Sequence, residues 1–207
     1  MNKHTIFGLD LAKNIFHLVN LQGKRKKLRR RQMLPFFAQL PPSLIAMEAC
    51  GSSNYWAREL MALGHEVTLL PPQHVKGYLR GQKNDYNDAL AIAEAAEHGR
   101  IRGVPVKSLE QQDKQALLRS RKRVTTERTR MINHVRAMMY EYGETIPKSV
   151  GAFRRRLSEI IGGDNQALSP FVRTLVSRYY EQLVMLDEEL SWHNKHIAEQ
   201  VKQDDDC

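Results

Sequence analysis

Cysteine is nearly absent from this chain, which has two in 207 residues. Cys50 follows an apolar run and Cys207 is the last residue, so neither a disulfide framework nor a thiolate metal site is expected. Long hydrophobic runs are missing as well. No stretch approaches the roughly 18 apolar residues that a membrane span requires, and the N-terminus MNKHTIFGLD has no signal-peptide hydrophobic core. A cytoplasmic protein with no membrane association is therefore expected. Acidic charge is the third shortage: 23 Asp and Glu stand against 32 Lys and Arg, a formal charge of +9. Such a balance implies a polyanionic partner.

The excess positive charge is concentrated. Residues 24 to 31, KRKKLRRR, are basic everywhere except Leu28, and supply Lys24, Arg25, Lys26, Lys27, Arg29, Arg30 and Arg31. Residues 119 to 136 hold Arg119, Arg121, Lys122, Arg123, Arg128, Arg130 and Arg136 against the single acid Glu127. These two clusters are the candidate nucleic-acid contacts. Membrane-surface binding would need an apolar face beside the charge.

The few acids stand in telling places. Asp10 lies inside TIFGLDLAK and Glu48 ends LIAMEAC, and both segments have the short apolar runs of buried strands. An uncompensated carboxylate there costs several kcal/mol, on the order of a buried polar group or more. Asp85 and Asp88 are three apart in KNDYNDALAIAEAAEHG, which has helical spacing, so both leave one helix face. Such a pair is often no more than a solvated face. Joined to two awkward strand acids, it forms the oxygen-ligand set of a one- or two-cation phosphoryl-transfer site, with Mg²⁺ expected and Mn²⁺ an alternative. Asp10, Glu48, Asp85 and Asp88 are accordingly the candidate catalytic and metal-binding residues.

The first hundred residues read as βββαβαβα, an α/β mixed sheet flanked by helices. TIFGLDLAK and IFHLVNL form a hairpin joined at Lys13-Asn14. KKLRRRQML is expected as an exposed edge strand, then LPFFAQL as a short helix. LIAMEAC and HEVTLLPP are strands on either side of the helix SSNYWARELMALG, which has Ser52 or Ser53 as N-cap and Gly64 as C-cap. Beyond residue 105 long helices take over. The segment starting at Ser108 repeats Leu117, Val124, Met131 and Met138 every seven residues. The last helix, opened by Ser169-Pro170, steps through Val172, Val176, Tyr179, Leu183, Leu186, Leu190, His193 and Ile197. These two helices should pair antiparallel or join another chain; a homodimer or higher oligomer through them is the expectation. His193 is expected to be a packed interhelical residue, not a ligand.

GLDLAKNIFHLV with Asp10, the block MEACGSSNYW with Glu48, and the block Lys83-Asn84-Asp85-Tyr86-Asn87-Asp88 together resemble the N-terminal part of the "IS one-ten" family of insertion-sequence transposases, relatives of the Piv-type DNA invertases. The resemblance implies a RuvC-like domain of RNase H-like fold over residues 1–105, in which Asp10, Glu48, Asp85 and Asp88 form an Asp-Glu-Asp-Asp tetrad. It implies a helical coiled-coil region over 106–207, and recombination of DNA directed by a structured guide RNA. The family's serine-bearing domain is not expected within these residues, and no serine among them is assigned the nucleophile. The chain is therefore expected to bind Mg²⁺ and nucleic acid without completing recombination. Actin-like ATPases, which also begin with a strand aspartate, are excluded by the lack of a Gly-rich phosphate loop. The other two readings are a stand-alone RuvC-type metal-dependent endonuclease and a non-catalytic RNA-binding or dimerisation module.

Overall fold

The computed structural model describes residues 5–80, 82, 84–163 and 168–203. Lys83 and the terminal Cys207 lie outside the described residues. The chain divides into two compact units, Met1–Ser108 and Leu109–Cys207.

The first unit is built on five strands: β1 (Ile6–Asp10), β2 (Ile15–Asn20), β3 (Arg25–Arg29), β4 (Leu44–Glu48) and β5 (Glu66–Leu70). They lie in the order β3-β2-β1-β4-β5. β1, β2 and β3 form an antiparallel meander, whereas β4 is parallel to β1 and β5 to β4. This is the mixed sheet that the sequence indicated, with the RNase H-like order that the family resemblance implied. Alternation along each strand separates two layers. Leu9, Phe16, Leu18, Leu28, Ile45, Met47 and Leu69 face one side, where α1 (Met33–Phe37) and α2 (Ser53–Ala62) cover them with Met33, Phe37, Trp56, Ala57 and Leu60. On the other side Ala46 and Leu70 meet Val75 of α3 (Pro72–Val75) and Ala91, Ile92 and Ala95 of α4 (Asp85–Glu97).

α4 approaches β1 unusually closely because small residues face each other. A Cβ on Gly8 would stand 1.9 Å from the Ala89 carbonyl oxygen and 2.6 Å from the Ala93 nitrogen. Backbone therefore rests on backbone at this point. The contact fixes the height of the first turn of α4 above the sheet.

The expected third strand runs too far. β3 stops at Arg29, where the Gln32 side chain accepts a hydrogen bond from the Arg29 N–H at 2.8 Å; residues 30–32 form a 3₁₀ turn and α1 follows at once. Past Leu28 no alternating apolar residue is left to bury, whereas Met33 and Phe37 at helical spacing are both fully buried.

The second unit consists of α5 (Leu109–Glu141), α6 (Val150–Gly162) and α7 (Pro170–Gln203). Descending contacts make α5 and α7 antiparallel: Ser120 with His193, Arg123 with Glu189, Arg128 with Asp187, and His134 with Tyr179. Most of the expected seam of α7 is buried within the chain, at Val172, Val176, Leu183, Leu190 and His193. His193 bonds Ser120 Oγ at 2.8 Å through Nε2 and meets the Glu189 carbonyl at 2.6 Å through Nδ1, a packed interhelical role. α6 adds Phe153, Leu157 and Ile160 to the same core.

Asp187 ties this unit together, with Arg128 at 2.6 Å and Arg154 on its other oxygen; its side chain is only 19% exposed. Asp187→Ala leaves two arginines facing each other over a half-buried gap, and should cost about 1–3 kcal/mol. Urea unfolding measures it. A loss below about 0.5 kcal/mol, the range of an ordinary surface substitution, would mean that the network contributes nothing.

Candidate metal centre

Strand parity sets the candidate site. On β1, Leu9 points into the core, so Gly8 and Asp10 face α4; on β4, Ile45 and Met47 point into the core, so Ala46 and Glu48 face α4. Leu9 pairs with Met47 in the parallel ladder, which sets Asp10 and Glu48 side by side at the carboxyl ends of adjacent strands. Above them, Asp85 and Asp88 occupy the first turn of α4, whose N-cap Asn84 accepts the Tyr86 N–H at 2.9 Å. Anionic side chains are favoured at that helix end.

Asp10 and Glu48 respond to the charges around them. Burial raises Asp10 above the ordinary carboxylate range, and the negative charges of Asp88 and Asp85 raise it further, against a lowering by His17. Glu48 is raised by burial first, then by Asp10 and Asp88, and Lys76 opposes this. Both shifts carry the sign of crowded anions in a partly dry place.

His17 was not among the expected site residues. It pairs with Asp10 across the β1–β2 ladder, is 7% exposed, and lies with Nδ1 3.4 Å from Asp85. The Tyr86 ring packs edge-on against it at 4.8 Å. Asp10, His17 and Asp85 each offer one ligand atom, all within 4.8 Å of one another. Glu48 and Asp88 stand outside this tight trio among the described residues and reach it through their charge. A signal for His17 was present: a hairpin centred on Lys13-Asn14 sets residue 17 opposite residue 10. A divalent cation suits this donor set. Carboxylate oxygens are its natural ligands, an imidazole nitrogen widens the choice from Mg²⁺ toward Mn²⁺, and the crowded negative charge is relieved by a cation.

The basic candidates separate by surroundings. Arg25, Lys27 and Arg29 alternate on β3 with the buried Leu28, while Lys24 lies in the β2–β3 turn and Arg30 and Arg31 in the 3₁₀ turn. Lys26 lies over the Phe36 ring and Arg30 over Trp56. On α5, several arginines are engaged inside the helical unit. Arg121 bonds Asn194 at 2.6 Å, Arg123 pairs with Glu127 and Glu189, Arg128 with Asp187, and Arg136 donates to the Pro147 and Lys148 carbonyls above the Phe153 ring. Arg119, Lys122 and Arg130 line a shallow exposed groove of about 570 Å³ together with Arg123, Thr126 and Glu127.

The chain is similar in sequence to known proteins. A DEDD-type family model of the IS110 kind, described as a transposase, matches residues 7–144. The transposase for insertion sequence element IS1111A of Coxiella burnetii is 37% identical, over 98% of this chain and 57% of that protein. A probable family 20 transposase of Pseudomonas aeruginosa is 40% identical, over 95% and 60%. The transposase for insertion sequence element IS1328 of Yersinia enterocolitica is 31% identical, over 97% and 61%. The chain thus spans about three fifths of the length of these curated relatives. Among solved structures, RuvC of Thermus thermophilus covers 48% of this chain and 99% of its own, with a TM-score of 0.35 and 15% identity. The T. thermophilus RuvC complex with a Holliday junction substrate covers 49% and 99%, with a TM-score of 0.33 and 16% identity. Over two thirds of its length, from the first strand through the end of the long α5 helix, this chain belongs to the IS110-type family of insertion-sequence transposases.

Proposed function

We propose that this chain carries the metal- and DNA-binding part of an insertion-sequence transposase, with Asp10, Glu48, Asp85 and Asp88 as the residues that hold one or two Mg²⁺ or Mn²⁺ ions and His17 beside them. The carrying observation is the convergence of Asp10, His17 and Asp85, whose ligand atoms all lie within 4.8 Å of one another, in a setting where burial and the neighbouring acids raise Asp10 and Glu48. Asp10 and Glu48 come from rigid strand ends, and Asp85 and Asp88 from a helix seated on Gly8, so the donors are held before any ligand arrives. A divalent cation bound there supplies Lewis-acid stabilisation of phosphoryl oxygens and an activated oxygen nucleophile. His17 lies within 3.4 Å of the exposed Asp85 carboxylate, and Tyr86 packs edge-on against the imidazole.

Because the chain spans only about three fifths of its relatives, complete recombination is proposed for a protein of their full length, and guidance by a structured RNA rests on the family resemblance alone. Arg119, Lys122 and Arg130 on the α5 groove are proposed contacts for a nucleic-acid backbone, a role that positions a duplex without reading its sequence. Among the described residues no helix is long and apolar enough to cross a membrane.

A second reading, a stand-alone RuvC-type endonuclease, is favoured by one observation: all four carboxylates lie in the first unit, and two-metal hydrolysis needs no further domain. Incubating the chain with branched DNA and Mn²⁺ separates the two. The transposase reading predicts metal-strengthened retention of the DNA without cleavage products. Products that vanish in Asp10→Asn would establish the nuclease. Retention indifferent to metal and to Asp85→Asn with Asp88→Asn would leave a non-catalytic binding module.

A further inference from the structure

The basic run at residues 24–31 is not one patch. β3 is an edge strand, and its ladder with β2 sets Lys27 opposite His17 and Leu28 opposite Phe16. Leu28 and Phe16 belong to the core under α1 and α2, so Arg25, Lys27 and Arg29 point the other way, onto the face that carries Asp10, His17 and Asp85. Neighbouring cations on the opposite side are held by that layer's aromatics: Lys26 lies 5.8 Å from the Phe36 ring, and Arg30 lies 5.1 Å from Trp56 and 5.9 Å from Tyr55 while reaching the Lys13 carbonyl at 3.4 Å.

We propose that Arg25, Lys27 and Arg29 form a track that holds the backbone of a DNA strand as it enters the carboxylate cluster. The proposal rests on the function proposed above and names the path by which its substrate arrives. Three observations carry it. The row recurs every second residue, about 6.6–6.8 Å apart, a regular line of cations two strand spacings, about 9–10 Å, from β1 and Asp10. It is joined to the site through contacts: Arg25 lies 5.5 Å from the Tyr86 ring, Tyr86 packs on His17 at 4.8 Å, and His17 reaches Asp85 at 3.4 Å. Finally, an acidic cluster repels a phosphodiester, so a substrate strand needs positive charge beside it; a basic line with a partly exposed aromatic is how single strands are tracked without sequence preference. Edge strands also carry lysines to prevent further pairing. That purpose is served by charge on either face and does not explain why the row on the acidic side is linked to the site.

The test compares two triple substitutions of equal charge in the 207-residue chain, with a fluorescein-labelled single-stranded oligodeoxynucleotide and anisotropy measured across a salt series. Arg25→Gln/Lys27→Gln/Arg29→Gln should flatten the log–log salt dependence by about 2, at roughly 0.7 per lost contact on a single strand, and should not weaken Mn²⁺ binding by calorimetry. Lys24→Gln/Lys26→Gln/Arg31→Gln should flatten it by less than about 1 on the same scale. Equal effects of the two triples overturn the track. So does an effect confined to an RNA oligonucleotide of the same sequence, which would make the row an RNA contact. If the first triple fails to fold, Lys27→Gln alone should still remove about 0.7 of slope, and an unchanged slope refutes the proposal. The underlying metal reading fails on a separate observable, Mn²⁺ affinity that survives Asp10→Asn, whatever the slopes show.

Discussion

Asp10→Asn should abolish divalent-cation binding and, in the same protein, raise the melting temperature of the metal-free fold. The two effects share one cause. Asp10 is raised above the ordinary carboxylate range by burial and by the charges of Asp88 and Asp85, so the folded state holds the Asp10 proton more tightly than the unfolded chain does. The sign follows from linkage. Below the ordinary carboxylate range both states are protonated and the group costs nothing; as pH rises through that range toward the raised value, ionisation opposes folding, and the full cost is present above the raised value. Glu48, raised by burial, Asp10 and Asp88, adds a contribution of the same sign. Asparagine keeps the shape and removes the charge, so the metal-free variant should melt a few degrees higher, on a scale of about 2–8 °C per kcal/mol for domains of up to a few hundred residues. Cation affinity should fall by more than about 100-fold, beyond the 10–100-fold typical of losing an outer-shell partner. In the wild type, cation affinity should weaken as pH falls into the range where Asp10 and Glu48 take up protons. Calorimetric melts with and without Mn²⁺ at neutral and mildly acidic pH measure all of this. A metal-free Asp10→Asn protein that melted lower would mean that the carboxylate is satisfied by the protein itself and awaits no cation.

Gly8→Ala should damage the site from beneath it. The new methyl group would meet the Ala89 carbonyl oxygen at 1.9 Å and the Ala93 nitrogen at 2.6 Å, both backbone atoms that no side-chain rotation can move. α4 must lift from β1. Overpacking of a core costs about 1–3 kcal/mol, and a clash with helix backbone belongs at or above the top of that range. The lift carries Asp85, Tyr86 and Asp88 away from Asp10 and Glu48, so cation affinity should fall together with stability. Gly51→Ala is the matched control, since a Cβ there meets nothing within 4 Å. Circular-dichroism melts and Mn²⁺ calorimetry on both variants test the point. A Gly8→Ala protein that kept full cation affinity would show that the height of α4 does not govern the site.

Much of this was readable from the chain, for reasons that differ by residue. Asp10 and Glu48 were visible because an acid in an apolar strand is costly, and the period-two pattern already implied which face each would take. Asp85 and Asp88 followed from helical spacing. His17 was readable in principle, since the hairpin centre at Lys13-Asn14 pairs it with Asp10; a single histidine in a strand lacks the burial cost that marks out an acid there. Gly8 was not readable, because its significance lies in which helix presses on it, and Ala89 is some eighty residues away. Arg128 and Arg136 looked equivalent to Arg119 and Arg130 in a basic run. Asp187 and the Pro147 carbonyl, which engage them, are distant in sequence. The end of β3 was misjudged because a run of arginines has no apolar alternation to mark where a strand gives way to a turn.

The account rests on the claim that Asp10 and Asp85 belong to one cation site, and titration of Mn²⁺ into the protein followed by electron paramagnetic resonance tests it most directly. The free-ion signal should be suppressed by the wild-type chain and return at full strength with both Asp10→Asn and Asp85→Asn. Suppression that persists in both variants, or is absent from the wild type, would contradict the claim.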